Sequence, residues 1–125
     1  MAILEHFHLG LLYMVHLLIG SDGKVSEVEK ESLLKIKTVE GISDEIFQRF
    51  NDAVNKNSER EIYQEGIERL NKCTDQQKLK AFVHLYKLSE ADGNVHVKEV
   101  RLLLYSIKLT GIEFNDVVEM AKKSA

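Results

Sequence analysis

Two short segments carry the side chains best suited to cation chemistry. Ser21 to Lys30 reads SDGKVSEVEK, and Ala91 to Val100 reads ADGNVHVKEV. In both, Asp-Gly is followed by a valine two residues past the glycine and a glutamate six past it. The four acids are Asp22, Glu29, Asp92 and Glu99. Carboxylates are hard oxygen donors of the kind that calcium and magnesium select. Each glutamate lies one helical turn before a core-type leucine, Leu33 or Leu103, so it points partly inward. A carboxylate so placed must be capped, paired or metal-bound, because an isolated buried charge is costly.

A standard EF-hand loop takes ligands from positions 1, 3, 5, 7, 9 and 12, with glycine at 6. Placing Gly23 or Gly93 at position 6 puts Leu18 or Leu88 at position 1, where no oxygen is offered. The standard EF-hand is therefore excluded in both segments. Local backbone chemistry explains the same residues without metal. Asp-Gly stops one helix, the glycine being free to take positive φ. Ser26 and Glu29 then form a capping box for the next helix. In the second segment His96 takes the cap position, and Val95 and Val100 have the spacing of a hydrophobic staple.

Other chemistry finds less in the chain. The histidines are His6, His8, His16, His84 and His96, with no H-E-x-x-H among them. His16 and His84 lie among core-type residues, where a hydrogen-bonded histidine is expected. Cys73 is the only cysteine and reads as a helix-end residue. A single thiol makes no internal disulfide, which suits a reducing compartment. No nucleophile elbow, phosphate-binding loop or dinucleotide fingerprint occurs. Acid–base hydrolysis by the acidic cluster is the weakest of the functional readings, and the chain reads as non-enzymatic.

These residues need a frame, and the periodicity supplies one. The chain has 125 residues, 44% hydrophobic and 30% charged, with 7 glycines and no proline. That is one soluble globular domain whose helices no proline interrupts. A net charge of -3 argues against a nucleic-acid partner. LGLLYMVHLLIG is too short to span a bilayer, lacks the basic flank of a signal peptide, and reads as a buried central helix. A cytoplasmic location is expected.

Superposing the chain on itself with an offset of 70 aligns Leu18 with Leu88, Asp22 with Asp92, Gly23 with Gly93 and Glu29 with Glu99. Leu33 and Leu34 fall on Leu103 and Leu104, and Gly41-Ile42 on Gly111-Ile112. The pattern predicts an all-α bundle of about seven helices with approximate two-fold symmetry. Repeat 1 covers about 1–57, a joining helix about 58–72, and repeat 2 about 74–125. Capping boxes at Ser58/Glu61 and Thr74/Gln77 start the fourth and fifth helices. Gly41 and Gly111 end the second and sixth.

Together, the duplicated DGKVSEVE and ADGNVHVKE, each between two helices, resemble the TerB family of tellurite-resistance proteins. The TerB-like domain of membrane-anchored J-domain co-chaperones is similar. The resemblance runs in order over essentially the whole chain. It implies a compact helical bundle with pseudo-two-fold symmetry. It also implies a role in a bacterial tellurite or stress-response system, as a component that binds other proteins or a metal. Any contact with a membrane would then be peripheral, through partners. The family's proposed metal positions carry over to Asp22, Glu29, Asp92 and Glu99. Two departures are His96 in place of Ser26 and Lys98 beside Glu99.

A second function class is a regulator whose acidic turns bind calcium or magnesium. Calorimetry separates it from capping alone. If the turns bind a cation, Asp22→Ala with Asp92→Ala abolishes saturable calcium or magnesium binding. If the turns are caps, the wild type shows no such binding at millimolar metal. The double variant then mainly lowers thermal stability.

Overall fold

The computed structural model describes residues 2–19, 27–91 and 105–123, and shows an all-α bundle of about seven helices. The helices are α1 (Ala2–Ile19), α2 (Glu27–Glu40), α3 (Asp44–Lys56), α4 (Glu59–Asn71) and α5 (Asp75–Ala91). They are followed by α6, described over 105–110, and α7 (Phe114–Lys123). The capping boxes expected at Ser58/Glu61 and Thr74/Gln77 are present, while the caps expected at Ser26/Glu29 and His96 lie outside the described residues. Ser58 Oγ accepts from the Glu61 N–H at 3.2 Å, and the Ser58 N–H donates to Glu61 Oε1 at 3.2 Å. Thr74 and Gln77 exchange the same pair of bonds at 3.2 and 3.1 Å.

Central position explains the composition of α1. Phe7, Leu9, Leu11, Leu12, Tyr13, Met14, Val15, Leu17 and Leu18 are all buried, so the helix buries every side. It packs against α2, α3, α4 and α5. The closest approach is to α4, at two glycines. A Cβ on Gly10 would lie 3.0 Å from Leu70 and 3.3 Å from the Gly66 carbonyl oxygen. A Cβ on Gly66 would lie 3.2 Å from the Met14 sulfur. Tyr13 faces the same helix; burial first, then Glu65, pushes its phenol up to about 12.

The ends of α2 and α6 close with one geometry. Gly41 and Gly111 have φ of 66° and 76°. The Ile42 N–H donates to the Lys37 carbonyl at 2.9 Å, and Gly41 to Thr38 at 3.4 Å. Ile112 donates to Ile107 at 3.2 Å, and Gly111 to Lys108 at 3.3 Å. Both are Schellman closures, which need the left-handed conformation that glycine adopts without strain. Ile42 is buried with Ile36, the pairing that such a closure favours.

Leu34, which follows the buried Leu33, is not in the core. Leu34 is 54% exposed. The helical period brings Leu33 and Ile36 inward and turns Leu34 to the other side. Val100, Leu103 and Leu104 lie outside the described residues.

Gly10→Ala tests the α1–α4 approach. Helix propensity favours alanine by about 1 kcal/mol. Here the added methyl meets the fully buried Leu70 and a main-chain oxygen. Over-packing costs about 1–3 kcal/mol, so the variant should be less stable than wild type by roughly 1 kcal/mol in urea denaturation.

Candidate functional site

Glu40 is the last residue of α2, just before the capping glycine. An acid there meets the negative end of its own helix, which is electrostatically unfavourable. Two side chains from α5 compensate. Lys80 Nζ lies 3.0 Å from Glu40 Oε1, and His84 Nε2 lies 2.6 Å from Oε2. The Glu40 side chain keeps only 5% of its exposure, while that of Lys80 keeps 59%. Burial raises the Glu40 pKa, but the hydrogen bonds from His84 and Lys80 outweigh it and hold the carboxyl below its usual range. The carboxylate is thus fully ionised at neutral pH with both oxygens engaged, a poor starting point for a general base.

His8 on α1 touches this cluster from below. Its ring is buried, and Nε2 has no hydrogen-bond partner. Burial lowers its pKa most, and Lys80 lowers it further. The Glu40 charge and a main-chain hydrogen bond with Glu40 act in the opposite direction. The residue 70 positions on is Lys78, whose Nζ donates to the Thr110 carbonyl at 3.3 Å. Thr110 in turn is the counterpart of Glu40. Both halves therefore place a side-chain donor from their first helix at the end of their second.

Beside the Glu40 cluster runs a groove of about 460 Å³. One face of α5 forms its floor: Gln76, Leu79, Lys80, Val83, His84 and Lys87. At 1.5 Å per residue that face extends about 16 Å. Val39 and Glu40 from α2 form one wall, and Met120 from α7 the other. Val39 is 64% exposed and Met120 42%. Apolar walls with a few fixed polar groups are the usual make-up of a binding groove.

The sequence-derived acids are not part of this geometry. Asp22, Asp92 and Glu99 lie outside the described residues; Glu29 lies in α2, with its side chain outside them. Among the described residues, no group of three or more His, Cys, Asp or Glu side chains is placed to hold a metal ion. No described helix is long and apolar enough to cross a membrane. His84 is hydrogen-bonded, as expected of a histidine among core-type residues, but it lines a groove and is only partly buried. Cys73 is a buried helix-end residue whose thiol donates to the Arg69 carbonyl at 3.4 Å, and burial pushes its pKa up.

Sequence reasoning did not single out Glu40 or Lys80. A signal for Glu40 was available: an acid immediately before a helix-ending glycine is on the wrong end of the dipole and needs a partner. Lys80 and His84 are spaced i and i+4 on one helix face, the spacing that brings two side chains to one point.

Comparison with known proteins adds no neighbour to this picture: no family model, curated protein or solved structure matches the chain.

The buried imidazole gives a pH dependence of defined sign. The His8 pKa is lowered in the folded state, against about 6.5 in the unfolded chain. The unfolded state therefore binds more protons below that value, and stability falls as pH drops from about 6.5. His6, lowered by burial and then by Arg69 and Lys72, contributes in the same direction. Urea midpoints at pH 7.5, 6 and 5 should fall in that order. His8→Gln should flatten the decline, and an unchanged slope would remove His8 from the account.

Proposed function

We propose that this chain is a non-enzymatic, TerB-like module of a bacterial tellurite or stress-response system that holds a partner protein in the groove between α2, α5 and α7. The observation that carries the reading is the groove itself, with exposed apolar Val39 and Met120 at its edges and a fixed ion-pair cluster along it. Exposed apolar surface concentrated beside oriented polar groups favours protein association. The engagement of both Glu40 oxygens supports binding over acid–base catalysis.

A photoreactive amino acid replacing Val39 tests the reading in bacteria challenged with tellurite. A discrete crosslinked protein is expected at this position. A control probe at the exposed Lys56 on α3 should give none. The same diffuse labelling at both positions would refute the docking role.

A further inference from the structure

A second depression lies apart from the α5 groove, between the start of α1 and the turn that joins α2 to α3. Its volume is about 430 Å³, and it is lined by Leu4, Glu5 and His8 of α1, by Glu45, Ile46 and Arg49 of α3, and by the turn itself. His8 is buried and keeps 5% of its exposure. Its Nε2 has no hydrogen-bond partner. The main-chain hydrogen bond with Glu40 therefore belongs to the other ring nitrogen. Nδ1–H donates to the Glu40 carbonyl, and Nε2 carries an unused lone pair. Burial, the largest effect, holds the His8 pKa below its usual value, so the ring is neutral at pH 7.5.

The fold does not require that lone pair. In the second half the equivalent of His8 is Lys78, which donates at 3.3 Å to the carbonyl of Thr110, the equivalent of Glu40. An ammonium does this work and leaves no acceptor behind. A histidine in its place leaves one acceptor buried and unmatched, which is costly unless a guest donates to it. The other polar groups of the depression are engaged, with one exception. Glu5 is paired with Arg49. Ser43 Oγ accepts from the Ile46 N–H at 3.2 Å. Glu45 has no partner among the described residues, and its carboxylate only accepts. With Asp44 it offsets the positive end of α3, which would otherwise repel a cation. Asn115 stands at the equivalent position of the second half, so the fold does not require the charge of Glu45 either.

We propose that this depression binds a small aliphatic ammonium, with one N–H donating to His8 Nε2 and the positive charge facing Glu45. Both open groups are acceptors, so the guest must be a donor. One of them is anionic, and the ion pair beside it is already neutralised, so the guest is a cation. Leu4, 49% exposed, and Ile46 supply an apolar wall for a short hydrocarbon chain. A metal ion does not suit the set, because among the described residues no three His, Cys, Asp or Glu side chains are placed to hold one. The site is separate from the docking groove and does not depend on it.

The experiment uses the full chain carrying nitrogen-15 histidine, with n-butylammonium chloride as the probe at pH 7.5. Saturable binding in the millimolar range is expected, and the His8 Nε2 resonance should move upfield as its lone pair is engaged. The His84 resonances, in the α5 groove, should stay in place. Neither n-butanol nor sodium chloride at the same concentration should reproduce the shift. Glu45→Gln should weaken binding several-fold, and Lys122→Gln, near the end of α7, should leave it unchanged. His8→Leu should abolish it. Circular dichroism and urea midpoints confirm that each variant is folded; if His8→Leu is not, the Nε2 resonance of the wild type carries the test. Lowering the pH through the His8 pKa should weaken binding, because a protonated Nε2 turns from acceptor to donor and meets the ammonium with like charge. A probe that does not saturate, that binds without moving the Nε2 resonance, or that binds no better than n-butanol overturns the inference.

Discussion

The burial of α1 on every side is the constraint from which the architecture follows. An amphipathic helix needs one covered face; a helix that is apolar all round must be surrounded. Four helices from both halves of the chain converge on α1 and satisfy that demand. The hydrophobic gain is large because each fully buried aliphatic or aromatic side chain contributes about 1.5–3 kcal/mol. Glycines at positions 10 and 66 let the nearest neighbour close without a gap. Once α1 is surrounded, α5 has no comparable obligation. It buries Ala81, Phe82, Val83 and Leu85 and keeps Lys80, His84 and Lys87 at an accessible face.

Electrostatics then acts on a frame already set by packing. Glu40 stands where the macrodipole disfavours it and is held by two bonds from α5. Those bonds join the end of α2 to α5. His8 reaches the same helix end from the centre of the bundle, with Lys80 above it. A buried imidazole, a low-pKa carboxyl and an exposed lysine therefore meet at the end of α2. The charges of Glu40 and Lys80 both act on His8, in opposite directions.

Much of this fold was legible in the sequence because local signals agreed with one another. The capping pairs Ser58/Glu61 and Thr74/Gln77 marked helix starts, and Gly41 and Gly111 marked helix ends; each mechanism reads from a few adjacent residues. The groove was not legible in the same way. Its residues come from positions 39–40, 76–87 and 120, and only the tertiary arrangement brings them together. Leu34 shows the same limit on a smaller scale, since α2, unlike α1, buries one face, and composition does not say which of two adjacent leucines turns away. The acids Asp22, Glu29, Asp92 and Glu99 drew attention through spacing alone, whereas Glu40 acquired its environment from helices far away in the chain.

The single joining helix has a consequence for valence. α4 covers the face of α1 that carries Gly10, while the positions 70 residues on lie along the open groove of α5. On the docking role proposed above, a chain with one face of α1 covered by its own α4 and one groove on α5 would be a monovalent adaptor. An adaptor of that kind would end an assembly or deliver one guest at a time rather than bridge two guests into a lattice.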